Sequence, residues 1–201
     1  MLDKKHIKYF KKILPVDFVL SEEGDCWAYG YDNSKMHVMP ECVLFADSKA
    51  QIKDIVRYCF ENTIPITTRG RGTGNTGGSV PIENSVVLSL EKMNKIIDID
   101  ISNRLAVVQP GVINKVLQDE LQKENFFWGP DPSSQDYSTI GGNIANNSAG
   151  PRAIKYGTPR DNILGLEFIS GTGEIHKTGV KTSKGVVGLD LTRLFVGSEG
   201  V

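Results

Sequence analysis

Apolar residues recur at helical spacing at the start of the chain, at His6, Ile7, Phe10, Ile13 and Leu14, and Pro15 stops the run. Val16 to Pro40 shows weak periodicity and is expected to wrap the surface. Cys42 to Ala46 reads as a short apolar strand. Ser48-x-x-Gln51 is a capping box opening a helix through about Asn62, with Ile52, Ile55, Val56, Cys59 and Phe60 facing a core. Ile64 to Thr68 is a strand carrying Pro65, and Val86–Leu90, Lys95–Ile99 and Leu105–Gln109 are further strands. Pro110 and Gly111 break the chain before a helix from about Ile113 to Glu124, with Val116, Leu117 and Leu121 on one face. Ile163–Ser170 and Glu174–Thr178, joined by Gly171-Thr172-Gly173, read as a hairpin. The last stretch gives a helical turn, a strand at Phe195-Val196 and a glycine turn, an ending expected of a truncated chain. This order predicts an α+β class with three parts. They are an N-terminal helix and wrapping segment (1–40), a first lobe (41–100) and a second lobe (101–201).

Composition narrows the function classes. Lys plus Arg is 23 against 24 acids in 201 residues, a net charge of −1, which gives no electrostatic reason to expect nucleic acid as a partner. No apolar run approaches the roughly 20 residues of a transmembrane segment. The lysine-rich N-terminus interleaves charge with its apolar residues, unlike a signal peptide. Cys26, Cys42 and Cys59 are odd in number and far apart, as expected of reduced thiols in a cytoplasmic protein. His6, His37 and His176 are scattered without metal-ligand spacing, so no metal site is expected.

The 21 glycines concentrate in two stretches, 69–78 and 130–150. In the first, Gly72-x-Gly74-x-x-Gly77 spells a dinucleotide fingerprint, but the helix that fingerprint requires does not follow. Ser79, Val80 and Pro81 lead into a strand instead, and no Lys-Ser or Lys-Thr completes a P-loop. Successive glycines permit φ > 0 and point main-chain N–H groups into one concavity, an anion nest to which Thr73, Asn75 and Thr76 add side-chain donors and Arg69 or Arg71 adds charge. A plain hairpin loop is the alternative. In the second stretch, Pro130-Asp131-Pro132 fixes an extended entry, and Thr139 caps a helix opening on Gly141 and Gly142, whose N–H groups are expected to be free for a phosphate. A small-residue helix packed closely on a neighbour is the alternative there.

RGRGTGNTGG, PDPSS, TIGGNIANNSAG, Lys155-Tyr156-Gly157 and Phe195-Val196-Gly197-Ser198-Glu199-Gly200 stand in the order found in FAD-linked oxidases of the vanillyl-alcohol oxidase type. From about residue 40 onward the chain most resembles the branch of the glycolate oxidase FAD subunit and D-lactate dehydrogenase. The resemblance implies a two-lobed FAD-binding domain of the kind also found in para-cresol methylhydroxylase (PCMH type), truncated at its C-terminus and without the cap domain. FAD would lie extended between the lobes. By motif match Gly70, Gly72, Thr73, Gly74, Asn75, Thr76, Gly77 and Gly78 would hold its pyrophosphate, with Arg69 beside them. Pro130, Asp131, Ser134, Thr139, Ile140, Gly141, Gly142, Asn146, Ser148 and Gly150 would line the ribityl, ribose and flavin portions. Glu199, Gly200 and Val201 would begin the adenine side. Neither stretch holds His or Cys, so the implied FAD is non-covalent.

The resemblance further implies oxidation of a D-2-hydroxy acid such as lactate or glycolate, with an electron-accepting protein or quinone as second partner. The alternatives are a non-catalytic flavin-binding subunit of an electron-transfer complex and a reductase on the same fold. No catalytic base is assigned. Arg152, Lys155 and Arg160 are open between the flavin edge and solvated surface.

Overall fold

The computed structural model describes residues 2–182 and 184–200. The chain forms two compact units, Met1–Met93 with Ile169–Ile175, and Asn94–Phe168 with His176–Val201.

In unit 1, α1 (Lys4–Ile13) is capped by Asp3, whose carboxylate accepts the Lys5 N–H at 3.0 Å, and it ends ahead of Pro15. Next come β1 (Val19–Leu20), α2 (Glu23–Cys26), β2 (Cys42–Phe45), α3 (Lys49–Glu61), β3 (Ile66–Arg69) and β4 (Val86–Ser89). The four strands form one sheet in the order β1-β2-β4-β3, with β2, β4 and β3 parallel and β1 antiparallel at the edge. Every residue of β2 and β4 is buried, as the unbroken apolar runs CVLF and VVLS require of central parallel strands covered on both faces. Alternate residues serve opposite faces: Cys42 and Leu44 pack with Phe10, Ile52, Ile55 and Cys59, while Val43 and Phe45 pack with Cys26 and Val87. Tyr9 and Tyr58 stack at 3.6 Å between centroids, and His6 Nδ1 lies 2.9 Å from the Tyr58 hydroxyl, joining α1 to α3.

Unit 2 contains β5 (Ile96–Asp100), β6 (Leu105–Val108), α4 (Asn114–Gln122), α5 (Ile140–Ala145), α6 (Ala153–Tyr156), α7 (Pro159–Asn162), β7 (Gly165–Ile169), β8 (Ile175–Gly179) and α8 (Leu191–Phe195), with the tip of the β7–β8 hairpin belonging to unit 1. β5 and β6 form an antiparallel pair, and β7 and β8 form a separate two-stranded sheet. Val112, Leu117, Leu121 and Ile140 make its core, with Ile96, Ile99, Ala106 and Val108 packed against them.

Several expectations need correction. Val16–Pro40 does more than wrap the surface: β1 joins the sheet, and Cys26 and Asp32 are buried. Phe60 faces solvent, 61% exposed, because it lies one residue beyond the Ile52–Ile55–Cys59 stripe. Val116 is likewise half-exposed, and the inward face of α4 is Asn114, Leu117 and Leu121. Phe195 closes α8, so no strand forms at 195–196. In the capping box of α3, Ser48 accepts the Gln51 N–H at 3.5 Å, but the Gln51 side chain returns to the Asp47 N–H rather than that of Ser48. All three cysteines are free and buried, and burial pushes the Cys26 thiol to about 11 and that of Cys59 to about 12.

The burial pattern predicts unequal costs along α3. Ile55→Ala should lose about 2–5 kcal/mol in denaturant unfolding, whereas Phe60→Ala should stay within about 0.5 kcal/mol of the parent. Equal losses would contradict the assignment of the two faces.

Candidate cofactor site

The first glycine stretch leaves the C-terminal end of β3, the edge strand paired with β4, and returns to the sheet through the buried Pro81. Gly72 and Gly77 have φ of +64° and +84°, the left-handed region that a side chain disfavours. From Gly70 to Gly78 no main-chain N–H reaches a main-chain carbonyl among the described residues. The hairpin alternative would show paired N–H groups here. This run instead exposes Asn75 and Thr76 beside free donors, a set whose chemistry fits a dinucleotide pyrophosphate. A Cβ at Gly74 would meet Asp32 Oδ2 at 3.8 Å, an ordinary van der Waals contact.

Arg69 does not add its charge to the outer face of this loop. It is 6% exposed and turned beneath the loop, with Nη1 donating to Tyr31 O at 2.6 Å and Ser79 O at 3.3 Å, and Nη2 to Ala28 O at 3.5 Å. Burial lowers its pKa and the nearby Asp32 carboxylate opposes that shift. A side chain at Gly72 would collide with this guanidinium. Arg71 pairs with Glu91 at 3.0 Å, and the Tyr29 hydroxyl reaches the same carboxylate at 3.3 Å. Burial, with Glu91 beside it, pushes that phenol to about 12.

The second stretch is satisfied from within. Pro130 and Pro132 are buried, the chain turns through 133–137, and Thr139 caps α5 by accepting the Gly142 N–H at 3.1 Å. The Ile140 N–H donates to Val112 O at 2.7 Å and the Gly141 N–H to Pro110 O at 2.8 Å. The expectation of free donors in this first turn is therefore wrong. A Cβ at Gly141 would stand 2.6 Å from Pro110 Cβ, so that glycine serves close packing. Gly150 serves the same purpose against the Asp131 main chain. The Asp131 carboxylate accepts the Arg152 N–H at 3.1 Å and lies 3.5 Å from its guanidinium, closing 131–152 into a ring. Asn146 Nδ2 donates to Gly142 O at 3.0 Å, and the Ser148 N–H to Asn143 O at 2.8 Å. Ser134 O accepts the N–H groups of Tyr137 and Ser138.

The structure also brings the chain's last turn to this stretch. Gly197 and Glu199 donate their N–H groups to Ile144 O and Ala145 O at 2.9 and 2.8 Å, capping the C-terminal end of α5, and Gly200 follows at φ +88°. Val201 lies outside the described residues. Of the three cations left open, Arg152 is held by Asp131 and sits over Phe127, Lys155 sits over Tyr156, and Arg160 donates to Val196 O at 3.0 Å.

Sequence reasoning missed the polar residues that hold the second stretch in place. Asn114 is wholly buried, and its Nδ2 donates to Asn143 Oδ1 at 2.8 Å and reaches Pro130 O at 3.4 Å. Asn143 in turn donates to Ser138 Oγ at 3.0 Å. Gln118 donates to Trp128 O at 2.7 Å and accepts the Trp128 N–H at 3.1 Å. The available signal was two amides at i, i+4 spacing on α4, placing both on one side. Asp32, missed as well, is 3% exposed; Ser34 and the N–H groups of Ser79 and Gly77 hold its carboxyl below the ordinary 3.8, against the opposing effect of its burial.

Two measurements check this geometry. Asn114→Ala leaves Asn143 Oδ1 without its donor and should cost about 1–3 kcal/mol in denaturant unfolding; an unchanged stability would contradict the buried network. Because the Asp32 carboxyl is depressed in the folded state, its contribution is present above the ordinary carboxyl range and lost as pH falls through the lower folded value. Below about pH 4 the unfolding midpoint should therefore fall more steeply for the parent than for Asp32→Asn, and parallel curves would contradict the shift.

Residues 40–179 match the model of the FAD binding domain family. The glycolate oxidase subunit GlcD of Bacillus subtilis is 46% identical over 173 residues, covering 86% of this chain and 37% of the relative. A D-lactate dehydrogenase of Anaerostipes hadrus is 37% identical over 196 residues, covering 96% of this chain and 41% of the relative. The chain thus spans about two fifths of the length of these curated relatives. Among solved structures, p-cresol methylhydroxylase superposes with a TM-score of 0.76 at 24% identity over 96% of this chain and 40% of that one, a likeness of fold. The α+β fold is that of a PCMH-type FAD-binding domain, and the chain belongs to the FAD binding domain family.

Proposed function

We propose that this chain is the FAD-binding part of a flavin-dependent oxidoreductase acting on a D-2-hydroxy acid of the lactate or glycolate class. The observation that carries the cofactor reading is the run Gly70–Gly78, whose main-chain donors are free of main-chain carbonyls at the end of the sheet strand β3. The pyrophosphate would be held there, by Gly70, Gly72, Thr73, Gly74, Asn75, Thr76, Gly77 and Gly78. Residues of Pro130–Gly150 would hold the ribityl and flavin portions, and Glu199 and Gly200 would begin the adenine side. Bound FAD would supply the redox chemistry, taking up the two electrons of the hydroxy acid's oxidation. The residues of this chain bind and orient. In the second stretch the contribution is side-chain hydroxyls, amides and apolar surface rather than helix N–H groups, because Ile140, Gly141 and Gly142 already donate within the fold. With no His or Cys in either stretch, the attachment is non-covalent. No catalytic base is assigned.

The substrate class rests on the names of the two relatives, glycolate oxidase and D-lactate dehydrogenase. The Bacillus relative is itself named a subunit, which favours one second reading: a flavin-binding subunit that passes electrons within a complex.

The test uses the protein expressed from its complete gene. It should show flavin absorption in the visible, release the flavin into the supernatant on acid precipitation, and bleach anaerobically with D-lactate or glycolate. A protein that takes up no FAD would contradict the cofactor reading. Flavin remaining on the precipitated chain would contradict non-covalent attachment. Bound flavin that no hydroxy acid reduces would favour the subunit reading.

A further inference from the structure

The segment Ala28–Met36 takes no part in the proposed contacts with FAD, yet it is built into the underside of the glycine loop. Asn33 donates its N–H to Gly74 O at 2.9 Å and its Nδ2 to Asn75 Oδ1 at 3.1 Å. Met36 Cε fills the place a side chain would take at Gly77. Between segment and loop lie two buried, oppositely charged groups. Arg69 gives its guanidinium N–H groups to Ala28 O and Tyr31 O on one side and to Ser79 O on the other. Asp32 accepts the Ser34 N–H at 2.8 Å through Oδ1. Its Oδ2 is buried, makes no well-formed hydrogen bond among the described residues, and stands 3.8 Å from the Cβ position of Gly74. A carboxylate closed off from water in this way is costly unless nearby donors and cations compensate it. The donors at hand are the N–H groups of Gly77 and Ser79, and the cation is Arg69.

A loop with glycine at 70, 72, 74, 77 and 78 has more backbone freedom to lose than a loop of the same length without glycine. Left to itself it would present its N–H groups in many arrangements, and ordering them on binding would weaken affinity. The contacts above remove that freedom selectively. They engage carbonyls, a side-chain amide and the C-terminal N–H groups of the loop, and leave the N–H groups of 71–76 unengaged.

We propose that Asp32, together with Arg69, is a positioning residue that fixes the glycine loop in its anion-accepting shape before FAD arrives. The inference rests on the pyrophosphate reading of that loop. Asp32 touches no cofactor atom and acts through Gly74, Gly77 and Ser79. Its charge does not repel the pyrophosphate, because Arg69 compensates it beneath the loop.

The experiment measures FAD affinity of the flavin-stripped protein, expressed from its complete gene, together with the thermal midpoint of the same apoprotein. Asp32→Asn and Arg69→Lys should each bind FAD on the order of tenfold more weakly. Lysine offers a point charge and cannot reach carbonyls on both sides with a planar fork. Ile55→Val, in the core of the same unit, serves as the control for plain destabilisation: it should lower the thermal midpoint and leave affinity unchanged. Affinity that tracks the midpoint across all three variants would overturn the positioning role. So would an Asp32→Asn protein that binds FAD as tightly as the parent, or more tightly, the latter being what a merely repulsive carboxylate would give. If Asp32→Asn does not fold, Asn33→Ala removes an exposed side-chain bond to Asn75 alone and should weaken binding about two- to threefold; unchanged affinity there overturns the proposal. A parent protein that binds no FAD would remove the pyrophosphate reading and this inference together, whereas a binding parent with unaffected variants removes only the inference.

Discussion

The structure of unit 1 depends on a backbone constraint: a run of N–H groups must stay unpaired at a fixed place without letting the loop that carries them collapse. Main-chain donors are normally paired wherever water is excluded, so a loop that keeps them free has to be supported from another side. Here the support is the buried guanidinium of Arg69. It reaches carbonyls of the N-terminal segment and of the loop's own far end, Ser79. The left-handed Gly72 lets the chain pass over that guanidinium, which a side chain would prevent. β3 delivers Arg69 from the sheet, and the buried strands β2 and β4 hold β3 in register.

The two glycine-rich stretches look alike in composition and work in different ways. The first uses glycine for backbone direction, at Gly72 and Gly77. The second uses it for closeness, at Gly141 against Pro110 and Gly150 against Asp131. Its helix, α5, is six residues long, and its first-turn donors are consumed by Val112, Pro110 and Thr139. What it presents is a rigid surface held from behind by Asn114, Asn143 and Gln118, and from its far end by Gly197 and Glu199. The buried amides hold the stretch in place, and the phosphate-binding role expected of free helix N–H groups falls away because those groups are already paired.

Much of the fold was legible because its strongest signals are local. Pro15 ending α1, the apolar runs of β2 and β4, and the turn at 171–173 each follow from a few adjacent residues. Errors arose where a residue's environment is set from far away in sequence. Phe60 and Val116 are apolar but lie just off their helix's buried stripe, and only the neighbouring elements decide where that stripe ends. Phe195-Val196 carries strand propensity, but Asp190 accepts the Arg193 N–H at 3.0 Å and starts a helix instead. Arg69 was legible as a charge beside the loop and not as its support, since two of the three carbonyls it meets belong to residues about forty positions earlier. Asp32 gave no signal at all within a segment of weak periodicity.

The central claim is that the free N–H groups of 71–76 receive the cofactor while those opening α5 are already committed. Amide hydrogen exchange of the flavin-stripped protein, with and without FAD, tests this residue by residue. The account predicts that FAD slows exchange strongly across 71–76, whereas Ile140, Gly141 and Gly142 are protected before FAD is added and change little. Protection gained at 140–142 with none at 71–76 would contradict it.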